Sequence, residues 1–227
     1  KLMSIVSLVI APTLAVLHKD QIDQNRKAKL EALQKSAGIS SHETSTTSED
    51  SAGFDLAKPT GTLSESGDFV YQVGNPTAIK LPNGDILNVG EASQIASLAK
   101  GIDKKDPTLL DKEKWFTIEN LYFETDSEKL KPGSETQLDN IAKLLTAYPT
   151  LKLKLGGYTD NTGNEVSNKT LSNLRAQSAK LYLMNLGIGA DRIEAEGYGS
   201  QFPVCAANDT DECKAQNRRI AVRVLSW

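Results

Sequence analysis

Asp160 and Arg175 are the residues of this chain whose types and spacing best suit the binding of a charged ligand. Asp160 follows Leu151–Leu155, where apolar and basic residues alternate as in a strand with one buried face. Arg175 lies in a helical pattern that runs to about Leu186 and ends before Gly187. The sequence therefore predicts a strand-to-helix crossover with a carboxylate at the strand's carboxyl end and a guanidinium on the helix.

The crossover brings together side chains that complement the ammonium and the carboxylate of an amino acid. Asn168, Ser172 and Arg175 share one helix face because they are four and three residues apart. A ligand end with an ammonium and a carboxylate would suit the pair, since Asp160 would bind the amine and Arg175 would bind the carboxylate through its forked donors. The alternative is that Asp160 and Arg175 pair with each other, or cap the turn and solvate the helix.

Several motifs occur in one order between about Trp115 and Trp227, which is about half of the chain. Together they resemble the peptidoglycan-binding motif of the OmpA-like family. The matching segments are Gly157–Gly163, Asn168, Leu171–Ser172, Arg175–Ala176, Arg192–Ile193, Gly197–Gly199, Pro203, Asn208–Thr210 and Asn217–Ile220. In that family, the Asp and the Arg of the motif hold the free end of meso-diaminopimelate in the cell-wall stem peptide. The resemblance therefore implies that Asp160 and Arg175 bind this group.

The resemblance also implies further binding residues around this pair. Thr162 lies in the motif loop, and Asn168 can offer both a donor and an acceptor to the stem peptide. Glu124 and Thr125 end the first predicted strand. The family usually has Asp at the position of Glu124, so this residue either binds the ligand or caps a loop. Arg218 and Arg219 begin the last strand, which we expect at an edge of the sheet. We expect one of the two side chains to face the binding crevice and the other to be solvated, and we assign Arg218 to the crevice.

The two cysteines, Cys205 and Cys213, lie eight residues apart in a polar stretch between the last two predicted strands. The chain has no Cys-x-x-Cys, and His18 and His42 are far away in the sequence, which disfavours a zinc site. Outer-membrane OmpA proteins carry a disulfide in a comparable place. The resemblance thus implies a Cys205–Cys213 disulfide and an oxidising compartment. Two reduced thiols in a flexible loop are the alternative.

Composition and motifs exclude several classes of function. The net charge is −3, and lysines and arginines are scattered without interleaved aromatics, so we expect no nucleic-acid partner. The predicted C-terminal domain has no histidine, no nucleophile beside a base and no phosphate-binding loop, so we expect no enzyme activity and no cofactor. A glycosidase pair of Asp160 and Glu124 is disfavoured because Arg175 would hold both carboxylates ionised.

Residues 1–35 are predicted to form an apolar helix with a charged helical extension. Leu2–Leu17 would span about 24 Å as a helix, which is short for a bilayer core of ~30 Å. A membrane anchor, a signal-peptide core and a helix buried in a partner are the three interpretations, and the lack of a clear cleavage site before His18 weakens the second. Residues 36–67 are rich in Ser, Thr, Gly and acidic residues, a composition typical of a flexible linker.

Residues 68–112 are predicted to form a small unit of a β-hairpin and a helix. Asn83-Gly84, which tolerates the positive φ angles of tight turns, separates two strand-like segments, Thr77–Leu81 and Asp85–Val89. The pattern from Glu91 to Lys100 predicts a helix that ends at Gly101. Because this unit has a small core, we expect it to pack on the domain that follows it.

Residues 113–227 are predicted to form an OmpA-like domain of the α+β class, a βαβαββ layered sheet with both helices on one face. The predicted strands are 115–123, 151–158, 192–198 and 218–225, and the predicted helices are 132–148 and 165–186. The core-facing stripe of the second helix is predicted to be Leu171, Leu174, Ser178 and Leu181.

The predicted function is non-covalent binding of peptidoglycan through the diaminopimelate of the stem peptide. This binding would tether an envelope protein or complex to the wall in the periplasm of a Gram-negative bacterium, with a membrane or envelope-complex partner at residues 1–35. The alternative is a wall-anchoring subunit of an ion-driven motor or transport machine, since flagellar stator subunits resemble this layout. Such motors need an Asp inside the membrane helix, and Leu2–Leu17 has no ionisable residue, which favours the passive tether.

Overall fold

The computed structural model of the protein describes residues 59–227, which belong to one compact unit. The predicted apolar helix, its charged extension and most of the predicted linker lie outside the described residues. The strands are β1 (Gly61–Leu63), β2 (Phe69–Tyr71), β3 (Pro76–Lys80), β4 (Ile86–Gly90), β5 (Phe116–Thr117), β6 (Lys152–Tyr158), β7 (Ile193–Gly199) and β8 (Ile220–Ser226). The α-helices are α1 (Gln94–Asp103), α2 (Glu135–Ala147), α3 (Glu165–Asn185) and α4 (Asp211–Asn217).

The main sheet has the strand order β5-β8-β6-β7. β6 and β7 pair in parallel and are joined through α3, whereas β8 is antiparallel to both β5 and β6. Leu153 and Leu155 of β6 are fully buried in the same core as Leu138 of α2 and Leu183 of α3. Both long helices therefore cover one face of the sheet, and the predicted α+β class and layered architecture are confirmed.

The opposite face of the sheet carries a second, aromatic cluster. Trp115, Tyr158 and Ala221 are buried there, and Tyr198 packs against them. Tyr158 and Tyr198 are stacked with 5.2 Å between their ring centroids, and Trp115 contacts both edge-on. Tyr158 is thus a packing residue of this face.

Three features of the C-terminal domain differ from the prediction. β5 has only two residues, because the chain turns at Asn120, whose φ of 57° does not fit a strand. β8 lies between β5 and β6, so the predicted edge position of the last strand is wrong. The polar stretch before β8 contains a helix, α4, that begins at Thr210, whose side chain caps it by accepting a hydrogen bond from the backbone N–H of Cys213.

The predicted hairpin of residues 77–89 is formed by β3 and β4, and Gly84 has a φ of 92° in its turn. The helix that follows begins later and ends later than predicted, and Gly101 lies inside α1 instead of ending it. A side chain at Gly101 would clash with Leu109, because an added Cβ would lie 2.9 Å from Leu109 Cδ1. Leu87 and Ile95 belong to the same core as α2 and α3, so this unit packs on the domain that follows it.

The end of the predicted linker is structured, because β1 pairs antiparallel with β2. A polar turn, Ser64–Asp68, joins the two strands: Asp68 N–H donates to Ser64 Oγ and Ser64 N–H donates to the Asp68 carbonyl. Hydrophobic periodicity could not reveal β1, since Thr62 and Leu63 are exposed. Within residues 59–227, the structure contains no helix that is both long and apolar enough to cross a membrane.

Candidate functional site

Two glycines allow α3 to lie very close to the main sheet. A Cβ added at Gly157 of β6 would lie 2.1 Å from the Ser172 carbonyl oxygen, and one added at Gly197 of β7 would lie 2.1 Å from the Asn173 nitrogen. Any larger residue at either position would push the helix away. This close approach brings the first turns of α3 to the carboxyl ends of the parallel strands, where the motif loop begins.

The buried stripe of α3 is not the predicted one. Leu181 is buried as predicted, but Leu171, Leu174 and Ser178 are only partly buried. The buried residues of α3 are Asn168, Ser172, Arg175, Ala176, Ala179, Leu181 and Leu183. The polar half of this stripe faces the loops at the strand ends, where its hydrogen bonds are satisfied: Ser172 Oγ, for example, accepts from the Gly199 N–H at 2.9 Å.

The motif loop is held by its own polar groups. Asp160 Oδ1 accepts a hydrogen bond from the Thr162 N–H at 2.8 Å. Asn168 Nδ2 donates to the carbonyl oxygens of Thr162, at 3.0 Å, and Asp160, at 3.3 Å. Asn164 caps α3 by accepting from the N–H groups of Val166 and Ser167. The amide donors of Asn168 are therefore directed to the loop, which fixes the Asp160 carboxylate at the strand end.

The ion-pair partner of Asp160 is Arg218, not Arg175. Arg218 Nη1 lies 2.6 Å from Asp160 Oδ2. Burial raises the pKa of the Asp160 carboxyl, but the hydrogen bonds from Arg218 and Thr162 outweigh burial and hold the pKa below its ordinary value. Asp160 is therefore ionised at neutral pH. One of its oxygens is hydrogen-bonded to the Thr162 N–H, and the other is paired with Arg218.

Arg175 is 7% exposed and anchors the loop that follows β5. Its Nε donates to the Ser127 carbonyl at 2.9 Å, and its Nη2 donates to the Glu124 carbonyl at 3.3 Å. Burial lowers the pKa of Arg175, and the charge of Arg218 lowers it further. An arginine has five N–H donors, so these two bonds leave donors of a buried cation for an anionic ligand.

One cleft of about 460 Å³ opens between the motif loop, the loop after β5 and the start of β8. It is lined by all seven predicted binding residues: Glu124, Thr125, Asp160, Thr162, Asn168, Arg175 and Arg218. Glu124 also pairs with Lys129, at 3.0 Å, and its side chain is 45% exposed, so it lies at the rim. The structure thus brings the whole predicted set together, although residues 124 and 218 are far apart in the chain.

Arg219 also lines the cleft, so the expectation that only one of the two arginines faces it is wrong. Arg219 is buried, with its guanidinium carbon 3.8 Å from the centroid of the Tyr158 ring, and it donates to the carbonyls of Phe202 and Asn217. Burial lowers its pKa to about 10, so it remains charged at neutral pH. The sequence showed two adjacent arginines but no signal for which of them was buried.

The predicted disulfide between Cys205 and Cys213 is confirmed, with 5.3 Å between the Cα atoms. It closes the loop before β8 onto α4. Asn217 is fully buried at the end of this loop, where Oδ1 accepts from the N–H groups of Val204 and Cys205 and Nδ2 donates to the Cys205 carbonyl. The loop therefore fixes the backbone immediately before Arg218.

The sequence analysis missed one wall of the cleft. Ser66, Gly67, Asp68 and Phe69, from the β1–β2 hairpin, line it together with Lys131. The four hairpin residues lie where the predicted linker ends and the predicted hairpin-and-helix unit begins, and no local motif connects them with the motif loop. Only the three-dimensional structure places them there.

The arrangement suits the binding of a ligand with charges of both signs. The cleft offers an ionised carboxylate and the guanidinium groups of three arginines, which is a set of charge-assisted acceptors and donors for a ligand that carries both charges. In the part of the chain that the structure describes, no group of His, Cys, Asp and Glu has the arrangement of a metal site. The predicted absence of enzyme activity remains a prediction.

The family comparison agrees with the motifs. Residues 122–218 match the OmpA family. The probable lipoprotein YiaD of Escherichia coli K12 is 40% identical over 103 residues, which cover 45% of this chain and 47% of that protein. The peptidoglycan-binding protein ArfA of Mycobacterium tuberculosis H37Rv is 39% identical over 102 residues, which cover 45% of this chain and 31% of that protein.

Among solved structures, the peptidoglycan-associated lipoprotein of Burkholderia pseudomallei aligns with a TM-score of 0.43 and 29% identity, over 46% of this chain and 87% of that one. The chain spans about half or less of the length of the two proteins compared above. The family match itself contains the motif loop, α3, the disulfide loop and Arg218. The chain therefore contains a domain of the OmpA family, which is matched at residues 122–218.

Proposed function

We propose that the cleft binds peptidoglycan non-covalently, through the diaminopimelate of the stem peptide. The free end of diaminopimelate carries an ammonium and a carboxylate on one carbon. Asp160 accepts hydrogen bonds from the ammonium, and Arg175 donates from its remaining N–H groups to the carboxylate. No covalent step is involved, so the affinity comes from charge-assisted hydrogen bonds in a partly desolvated cleft.

The observation that carries the proposal is that Asp160 and Arg175 line one cleft but are not paired with each other. If the two were an internal salt bridge, a ligand with both charges would have to break it. Instead, Asp160 pairs with Arg218, and Arg175 bonds to backbone carbonyls. A carboxylate can accept about four hydrogen bonds. Asp160 can therefore accept hydrogen bonds from an ammonium while it keeps those from the Thr162 N–H and from Arg218.

The family membership and the name of a relative support the same ligand class. A relative that is 39% identical over the matched segment is named a peptidoglycan-binding protein. We further propose that the protein tethers an envelope protein or complex to the wall in the periplasm of a Gram-negative bacterium. The disulfide supports this location, because such bonds persist in oxidising compartments.

Sedimentation with purified diaminopimelate-type peptidoglycan tests the proposal. The Asp160→Asn variant keeps an oxygen for the Thr162 N–H but loses the charge, so we expect its affinity for the wall to fall about tenfold or more. Asp191→Asn is the matched control, because Asp191 is exposed near the amino end of β7, at the opposite end of the sheet. Equal affinity of wild type and Asp160→Asn for the wall would refute the proposal. An equal loss of affinity in Asp160→Asn and in the control Asp191→Asn would also refute it.

A further inference from the structure

The β1–β2 hairpin is outside residues 122–218, yet it forms one wall of the binding cleft. Its turn, Ser64–Asp68, faces the motif loop across the cleft. The hydrogen bond between Arg218 and Gly67 joins residues that are 151 positions apart in the chain. The site is therefore not complete within the family domain alone.

The hairpin is firmly attached to the domain. Phe69 is 2% exposed, and its carbonyl accepts a hydrogen bond from the Tyr122 hydroxyl at 2.9 Å. The Tyr71 N–H donates to Asn120 Oδ1 at 3.0 Å. These contacts fix β2 against the segment that leads into the loop after β5, so the adjoining turn has a defined position over the cleft.

Two charged contacts then fix the turn itself. Asp68 Oδ2 lies 2.6 Å from Lys131 Nζ, with the two side chains 19% and 25% exposed. The Gly67 carbonyl accepts a hydrogen bond from Arg218 Nη2 at 2.7 Å, while Nη1 of the same guanidinium donates to Asp160 at 2.6 Å. Lys131, the turn, Arg218 and Asp160 thus form one continuous chain of contacts.

We propose that the turn Ser64–Asp68 is a positioning element of the binding site, which holds Arg218 against Asp160 and so orients the carboxylate for the ligand. The Arg218 side chain is 36% exposed, and a long side chain at such a position loses substantial rotamer freedom when it is fixed. The Gly67 carbonyl accepts a hydrogen bond from Nη2, the second terminal nitrogen of Arg218. The guanidinium is therefore already ordered before a ligand arrives. The ligand part of this inference rests on the function proposed above.

The Asp68→Ala variant tests the positioning role without any ligand. It removes the anchor to Lys131, so the turn and Arg218 should loosen, and the pKa of Asp160 should rise towards its ordinary value as the hydrogen bond from Arg218 weakens. Removing a negative charge near Asp160 has the opposite effect, because it lowers the pKa of a neighbouring carboxyl. A rise in the pKa of Asp160 in this variant therefore reports the displacement of Arg218 and not the loss of the Asp68 charge.

Glu65→Ala is the matched control, since Glu65 is an exposed carboxylate on the same turn and does not line the cleft. Titration of the Asp160 side-chain carboxyl carbon by NMR gives its pKa in each protein, and thermal unfolding shows that each is folded. We expect Asp68→Ala to raise the pKa of Asp160 and Glu65→Ala not to raise it. If the pKa of Asp160 in Asp68→Ala does not exceed that in Glu65→Ala, the positioning role is wrong.

The wall-binding assay then tests the consequence for the ligand. We expect Asp68→Ala to bind diaminopimelate-type wall roughly three- to tenfold more weakly than Glu65→Ala. Gly67→Ala is a second variant, because the φ of 79° at Gly67 strains an alanine and displaces the carbonyl that holds Arg218. Wall binding that neither variant changes would overturn the inference. A raised pKa in Asp68→Ala together with no wall binding by wild type would instead refute the proposed function and leave the positioning role intact.

Discussion

Arg218 Nη1 lies 2.6 Å from Asp160 Oδ2, and this contact assigns different tasks to the two arginines near the motif loop. In the proposed site, Arg218 orients and neutralises the carboxylate from the exposed side. Arg175 lies on the buried side, where its bonds to the Ser127 and Glu124 carbonyls orient its guanidinium. The cleft therefore presents an aligned acceptor and an aligned donor group before any ligand binds, which reduces the entropy lost on binding.

Replacement of Arg175 by lysine should weaken wall binding by about tenfold or more while the charge is kept. A lysine is a point charge without the planar fork, so it cannot hold two backbone carbonyls and grip a carboxylate in the same geometry. The free energy of unfolding should also fall by about 1–3 kcal/mol, because the partly buried carbonyls of Ser127 and Glu124 lose a donor. Sedimentation with wall and chemical denaturation measure the two effects.

A matched control separates binding from stability in that experiment. Lys152→Ala removes an exposed cation at the amino end of β6, far along the strand from the motif loop, and should change neither quantity appreciably. The role of the guanidinium fork would be contradicted by an Arg175→Lys variant that binds the wall as tightly as wild type.

Glu119 should make the protein less stable as the pH rises through neutrality. The residue is 5% exposed and accepts a hydrogen bond from the Gln94 N–H at the start of α1. Burial raises its pKa from 4.5 to about 7, although the bonds from the backbone at Gln94 and Ile95 oppose the shift. A folded-state pKa above the unfolded value means that the stabilisation is complete below about pH 4.5 and is lost as the pH rises through about 7.

The loss should be at most about 3 kcal/mol between pH 4.5 and pH 8. Urea unfolding of wild type and Glu119→Gln at several pH values measures it, and the difference between the two proteins cancels the contribution of other groups. We expect the free energy of unfolding of wild type to decline relative to that of the glutamine variant over this range. A constant difference would show that Glu119 has an ordinary pKa.

Removal of the Cys205–Cys213 disulfide should lower the free energy of unfolding by about 2–3 kcal/mol, as expected for a short closed loop. The double Cys→Ser variant, or the reduced protein, should therefore unfold at a lower temperature than the oxidised protein. Thermal unfolding with and without reductant measures this difference, and reductant should leave the double variant unchanged. Two reactive thiols in the unreduced protein would contradict the bond.

The parts of the fold that follow local rules could be predicted from the sequence. The alternation in Leu151–Leu155, the Asn83-Gly84 turn and the stop at Gly187 correspond to β6, the β3–β4 hairpin and the end of α3. The seven predicted binding residues also line one cleft. Four of them belong to the crossover itself, whereas Glu124, Thr125 and Arg218 were predicted through the family resemblance.

The remaining features depend on distant contacts, which no local pattern encodes. The stripe of α3 was predicted from its leucines, but Gly157 and Gly197 draw the polar side of the helix onto the sheet, so Asn168 and Ser172 are buried. Asp160 was expected to pair with a helix residue if it paired at all, and it pairs instead with Arg218 from another strand. The wall formed by the β1–β2 turn has no sequence signal, because its contacts join segments that are far apart in the chain.

The most direct test of the central claim compares binding of the wild-type protein to two wall types. Diaminopimelate-type and lysine-type peptidoglycan differ in the carboxylate that we assign to Arg175, and its absence leaves a buried guanidinium without its ligand partner. We predict that the protein sediments with diaminopimelate-type wall and binds lysine-type wall about 10- to 100-fold more weakly. Equal affinity for the two walls would contradict the assignment of Asp160 to the ammonium and of Arg175 to the carboxylate at the free end of diaminopimelate.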